Sequence, residues 1–405
     1  MNLSRPLSLL VITLVALACL APNSALAQGK KPGGTTYKYT LTDLLGFPDN
    51  GYQSQGQFIT NRNVAGNSLI AGNSRLYPDP QGPAIFHPAL WNIGADGKFP
   101  DTDPVDLGLP SFAREAQPTG LNSSGFVVAR TSWSNAQDAD GNWIFPSYVD
   151  LAGVAVQELP GSANRNTSAQ AINDAWTIVG TLEATTDDPR YPMGIKSNGA
   201  VWQVQADGTV SNPLSLGDFH PDDINNYGVM AGMMSDDGYP AIGWLDGTTL
   251  NLVRMAPSAR FLGARINALN DYPVEDARLA VVGDSTFNEA GQYDAADSQR
   301  GVVWRPYNAA SPTTVLGTLG GMHSTARDVN QAEQIVGDSS GKRGGQFAFV
   351  YANGTMTNLN AITDVGDRNL QSAYGINDDG DIVGFMQIPR PISEQRGFLL
   401  RPITP

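Results

Sequence analysis

Cysteine and histidine are nearly missing: one Cys, Cys19, and three His, His87, His220 and His323, stand among 405 residues. No two histidines have the spacing that zinc ligands share, and a loop or surface role is the expectation for each. Cations are scarce as well. The 25 Lys and Arg face 39 Asp and Glu, a formal net charge of −14. Nucleic-acid binding rests on neutralising phosphates with Lys and Arg, so this balance excludes it as a partner. Beyond Leu7–Ala21 no apolar run approaches the ~20 residues of a membrane helix, and no transmembrane span is expected.

That one run is flanked by Arg5 on one side and by Ala25 and Ala27 in an A-x-A arrangement on the other. This is the pattern of a signal peptide over residues 1–27, cleaved after Ala27, and it predicts a secreted or periplasmic protein. A second processing route would lipidate Cys19, although Ala16 stands where such signals usually carry leucine. Cleavage after Ala27 leaves no cysteine, so stability must come from burial and hydrogen bonding rather than disulfides. Residues 28–35 read as a flexible linker and 36–405 as a single domain.

What is abundant is glycine and proline, 44 and 27 residues, the composition of many turns and short strands. They punctuate an internal repeat. LNSSGFVVA (Leu121–Ala129), INDAWTIVG (Ile172–Gly180), INNYGVMAG (Ile224–Gly232), VNQAEQIVG (Val329–Gly337) and INDDGDIVG (Ile376–Gly384) align with one another. VAGNSLIAG (Val64–Gly72) is a degenerate copy, and Ile266–Asn267 followed by LAVVG (Leu279–Gly283) is a copy with an insertion. The last residues of the seven copies are spaced 57, 51, 52, 51, 54 and 47 apart, a period typical of propellers and solenoids.

Within the sixth unit, Ala326–Val329, Gln334–Gly337, Phe347–Tyr351 and MTNL read as four short strands, with Asn353–Gly354 as a hairpin turn between the last two. Four antiparallel strands per ~50 residues describe a propeller blade. The last unit stops one strand short at Arg396–Arg401, and Tyr37–Gly46 has the character of the missing strand. The expectation is therefore an all-β, seven-bladed propeller whose last blade is completed by the N-terminal strand, which removes the exposed sheet edges of an open array. Asn122, Asn173, Asn225, Asn267, Asn330 and Asn377 share the second repeat position, where turn chemistry rather than acidity is common to all copies.

The stretch LGTLGGMHSTARDVNQAEQIVGDSS (Leu316–Ser340) followed by FAFVYANGTMTNLN resembles the bacterial extracellular HAF repeat family. The family's histidine is replaced here by Phe347, and the final copy has Gly397–Phe398. The resemblance implies an exported repeat protein with a propeller-like fold, and no particular reaction.

Candidates for chemistry are few. GDSSG (Gly337–Gly341) has the spacing of a hydrolase nucleophile, but it ends a repeat strand and no helix follows. Asp138, Asp140 and Asn142 place oxygens at alternate positions around a glycine turn, a weak calcium pattern that lacks a bidentate acid at its far end. The acid pairs Asp187–Asp188 and Asp222–Asp223 would matter to a glycosidase only if the fold turned them toward one another. Trp202, Trp244 and Trp304 share a third-strand position and are expected in the inter-blade core, whereas Trp133, Trp143 and Trp176 break the pattern. The hairpin-tip place of Trp176 suggests exposure, and all three are candidates for stacking on a glycan or anchoring a surface protein. Taken together the residues favour a monomeric, cofactor-free binding or scaffold propeller over an enzyme. The alternative is a polysaccharide-acting hydrolase with acids gathered at a channel mouth.

Overall fold

The computed structural model describes residues 38–47, 53–76, 85–97, 104–137, 141–161, 166–191, 194–255, 261–287, 298–309, 312–389 and 394–403. The signal peptide, the linker, Cys19, Asp138 and Asp140 lie outside them. Strands and turns make up almost all of the rest, with one short 3-10 turn at Leu359–Ala361.

Short β-branched runs form the strands and hairpins chain them into sheets; with a blade packed on either face the middle strands are buried on both sides, and all five residues of Ser147–Leu151 are buried. Asn353 and Gly354 both have positive φ, 52° and 76°, in the tight turn joining Gln346–Ala352 to Thr355–Asn358. Seven four-stranded antiparallel sheets result, six of them built from consecutive strands. The seventh joins Asn369–Ile376, Ile382–Ile388 and Glu394–Pro402 to the N-terminal strand Tyr39–Leu44. The pairing is antiparallel, with Tyr39 opposite Pro402 and Leu44 opposite Gly397. The molecule is a seven-bladed β-propeller closed by its own N-terminal strand.

Every successive pair of blades shares a buried apolar cluster. Ala71 meets Val127 between blades one and two, Val128 meets Ile178 between two and three, and Val179 meets Met230 between three and four. Leu44, Val383 and Leu399 meet Ile70 and Trp91 across the seam between blades seven and one. Full burial of such a side chain is worth ~1.5–3 kcal/mol, so the core is a closed belt rather than a centre. Trp202 and Trp304 lie in it, 0% and 1% exposed, as the repeat predicts.

Trp244 does not lie there. Trp202 pairs with Ile178 and Trp304 with Val281, but the matching partner of Met230 is Gly243, one residue before Trp244. A shift of one residue along a strand moves a side chain to the opposite face, and Trp244 is half-buried against Tyr227, Pro273 and Val274. Trp91, opposite Ile70 in blade one, holds the position that the sequence pattern missed.

The innermost strands are Ser54–Ile59, Ala113–Leu121, Thr167–Ile172, Phe219–Ile224, Phe261–Leu269, Gly320–Val329 and Asn369–Ile376. Each carries a β-bulge at the same height, extruding Gln57, Thr119, Gln170, Asp222, Asn267, Arg327 and Tyr374. The repeated glycine of the second strand is the counterpart of this bulge. A Cβ on Gly180 would sit 2.0 Å from the Ser168 carbonyl oxygen, two residues before the bulge, and one on Gly337 would sit 1.9 Å from that of Thr325. In these blades glycine is the residue that admits the backbone that close, whereas blade two has Ala129 opposite Pro118 at the same place.

Candidate functional site: the central channel

A bulge turns an extra side chain out of the ladder. Here all seven extruded residues point into one central cavity of about 530 Å³. Six of the seven are polar or charged on every reading, and the seventh, Tyr374, brings a hydroxyl. Tyr374 lies 4.6 Å beneath the Arg327 guanidinium and is stacked on Phe385 at 5.8 Å. Arg327 is held by Asp338 at 2.6 Å, and Asp338 also takes bonds from Gln346 and Ser372.

Three carboxylates line the same space. Asp222 is pushed up to about 7 by burial, with Arg265 pulling the other way. Burial also raises Asp223 to about 7, helped by the neighbouring charges of Asp328 and Asp222, and raises Asp328 to about 6. Their hydrogen bonds separate them. Asp223 accepts from the backbone N–H of Ile224 at 2.8 Å and of Leu269 at 2.9 Å, tying blade four to blade five. Asp328 accepts from Val329 and Ile376, both at 2.8 Å, tying blade six to blade seven. In each acid one oxygen accepts from the next residue of its own strand and the other from the neighbouring blade, so both oxygens are occupied. Asp222 makes no hydrogen bond to any described residue. Asp222 and Asp223, neighbours on one strand, both line the channel because a bulge turns Asp222 inward.

One mouth of the channel lies beside the hairpins that join first and second strands. There Asn122 donates to the Asn173 carbonyl at 3.2 Å, Asn173 to that of Asn225 at 3.0 Å, and Asn225 to that of Asn270 at 3.0 Å. Asn330 donates to the Asn377 carbonyl and Asn377 to that of Thr60, both at 3.0 Å. In the fifth unit the working residue is thus Asn270, not Asn267; Leu269–Asn270 matches Leu121–Asn122, and the insertion follows it. Asn267 is the extruded bulge residue. In the first unit Thr60 takes the asparagine's place. A second tier repeats the device: Ser123 N–H donates to Asp174, Asp174 N–H to Asn226, and Asn226 N–H to Asp271. The NDDGD stretch belongs to this scheme. Asn377 accepts from the Asp381 N–H at 2.8 Å and Gly380 has φ 79°, the geometry of a turn.

The tryptophan candidates are divided between the two faces. Trp133 and Trp143 flank the connection between the second and third strands of blade two, 44% and 54% exposed, with Phe145 beside them at 36%. Arg114 lies 5.4 Å over the Trp133 ring, and Asn142 is exposed in the same loop. Trp176 sits at the other end of its sheet, in the hairpin joining first and second strands. It is only half-exposed there. It packs on Phe126 with ring centres 5.3 Å apart and donates to the Ser124 hydroxyl, filling the step between blades two and three.

The remaining candidates have structural surroundings. His87 pairs with Asp106 at 3.1 Å and His220 with the Ser197 carbonyl at 3.0 Å. Ser339 is buried on the strand Ile335–Gly341 and bonded to backbone, so GDSSG is no nucleophile turn. Asp187 is exposed, Asp188 is half-buried and paired with Arg190, and neither lines the channel. Among the described residues no three His, Cys, Asp or Glu side chains are grouped to hold a metal, and no helix is long and apolar enough to cross a membrane.

No protein-family model matches the chain, and no curated protein does. Solved propellers do. The propeller domain of the trilobed protease from Pyrococcus furiosus is 8% identical with a TM-score of 0.48, covering 86% of this chain and 93% of that one. YCF48 from Cyanidioschyzon merolae is 12% identical with a TM-score of 0.46, covering 89% and 98%. A TolB protein from Agrobacterium tumefaciens is 14% identical with a TM-score of 0.38, covering 74% and 97%. These likenesses concern the fold alone.

Proposed function

We propose that the chain is an exported binding module that takes a carbohydrate ligand at the channel, entering from the face that carries the loops between second and third strands. One observation supports this most: seven bulges present amide, hydroxyl, guanidinium and carboxyl groups to a single cavity, the donor and acceptor mixture that hydroxyl-rich ligands require. Trp133, Trp143 and Phe145 on that same face supply exposed ring surface for stacking further sugar units. Export is supported by the signal pattern of residues 1–27 and by the likeness of Leu316–Ser340 to HAF repeats. A glycan array probed with the purified protein tests the reading. Binding to a defined glycan class, weakened by Trp133→Ala with Trp143→Ala, is expected; an array without any binding would overturn it. N-terminal sequencing of the exported protein should begin at Gln28.

A second reading, hydrolysis, has Asp222 in its favour, a carboxyl held near neutral pH in a cavity. Glycosidases work with two carboxyl groups facing one bond. Asp223 and Asp328 are both occupied by backbone donors, which leaves Asp222 without a second acid. Intact glycan recovered after prolonged incubation is the expected result.

A further inference from the structure

The binding reading leaves open what kind of saccharide the channel takes, and the cavity's unspent groups narrow the choice. Its acids are largely consumed: Asp223 and Asp328 by backbone N–H groups, and Asp338 behind the wall by Arg327. Of its three cations only Arg327 is. Arg265 and Arg130 line the cavity, are exposed, and make no hydrogen bond to any described residue, in a chain whose net charge is −14. Arg265 has charged neighbours in Asp222 and Asp284, but no carboxylate closes on its fork. The polar groups left over are of the hydroxyl-binding kind. Gln57 Oε1 is buried without a partner, and the Tyr374 hydroxyl makes no hydrogen bond to a described residue.

Resting on that binding reading, we infer that the channel seats an acidic sugar of the hexuronate class, its carboxylate on the Arg265 guanidinium and its ring hydroxyls on Gln57, Asp222 and Tyr374. A planar guanidinium fork matches a carboxylate with two parallel hydrogen bonds, which an ammonium or amide cannot do. A carboxyl that sheds its proton reluctantly, as Asp222 does, can stand beside a ligand anion without repelling it. The cavity, at about 530 Å³, lies within the usual range for small-molecule sites.

The test is calorimetric titration of the full mature chain with D-galacturonate and D-glucuronate, with D-galactose and acetate as the neutral and the hydroxyl-free controls. At least one uronate should bind, and both controls should bind at least about tenfold more weakly, the factor set by one charge-assisted pair. Arg265→Gln should weaken uronate binding about tenfold or more with the thermal unfolding midpoint unchanged, since the side chain is exposed. Tyr374→Phe, which deletes one hydroxyl, should weaken it by a smaller factor. Equal binding of galactose, or uronate binding indifferent to Arg265→Gln, would overturn the inference. So would the absence of uronate binding at millimolar concentration. A glycan array positive only for neutral sugars ends this inference and leaves the binding reading standing; an empty array ends both.

Discussion

Gly180 and Ser168 show how a single residue is dictated by the backbone opposite it. Because a Cβ on Gly180 would overlap the Ser168 carbonyl oxygen at 2.0 Å, Gly180→Ala must push two backbones apart. A loss of about 3 kcal/mol is expected, at the upper end of core overpacking, measured by denaturant unfolding. Gly217, with φ 62° and open space around it, should lose about 1–2 kcal/mol on the same change, the cost of left-handed backbone alone. Asn225 is the corresponding polar case. Its amide donates to Asn270 and Tyr272 and accepts from Tyr227 and Val229. Asn225→Ala leaves these groups buried and unpaired, and about 2–4 kcal/mol should be lost. Asp222 behaves differently, because its folded-state pKa is raised to about 7. Between about 4 and 7 the native protein holds a proton that the unfolded chain has released, so this group's contribution falls as pH rises. Asp222→Asn should therefore unfold at a higher temperature than the wild type at pH 8, with the difference shrinking as pH falls toward 4. Residue types were readable as a repeat, but their roles were not. The sequence shows a glycine at this place in six of the seven copies, and the bulge it faces exists only when two strands are paired. Trp244 and Asn267 were misplaced for the same reason, since a shift of one or three residues is invisible until the register is known.

At the scale of the element, the hairpins and the four-strand unit were legible because turn residues and β-branched runs act locally. Asn353–Gly354 is the clearest instance. Trp176 was not legible. Its neighbours Phe126 and Ser124 belong to the preceding blade, and nothing in INDAWTIVG announces them. The seam between the last blade and the first is likewise an inter-element property. The Asp381 side chain is fully buried, bonded by Arg62 through two guanidinium nitrogens and approached by Arg401 at 3.5 Å. Asp43 of the closing strand takes Arg396 at 3.1 Å and Arg368 at 3.3 Å. Removing one partner of a buried pair strands the other charge. Arg62→Ala should therefore cost about 3 kcal/mol, detected as an earlier denaturant midpoint, and Arg62→Ala with Asp381→Asn should recover part of it. The channel site was illegible at this scale also. Gln57, Thr119, Asp222, Asn267 and Tyr374 share neither type nor motif, and only their common place on the bulges brings them together.

For the whole molecule, the ring matters because it defines the channel. Seven sheets arranged around an axis turn seven scattered polar residues into one cavity, and the Asn and Asp tiers bind neighbouring hairpins at one mouth. Such a ring is quasi-repetitive in its parts, but the shared last blade makes it cooperative, since blades one and seven hold together through Tyr39–Leu44 and the cluster around Leu44. The repeat count and the strand missing from the last unit are enough to imply this closure, because both are properties of chain length and order rather than of contacts. Deleting residues 38–47 should expose the edge of Glu394–Pro402 and give a protein that self-associates, visible as a concentration-dependent rise in sedimentation coefficient. The most direct measurement is hydrogen exchange of the intact protein. Amides of Tyr39–Leu44 that lie in the ladder with Glu394–Pro402 should be protected for as long as those of the strand Ile382–Ile388 in the same blade. Exchange of Tyr39–Leu44 within seconds, while Ile382–Ile388 stays protected, would contradict the closed ring and with it the channel.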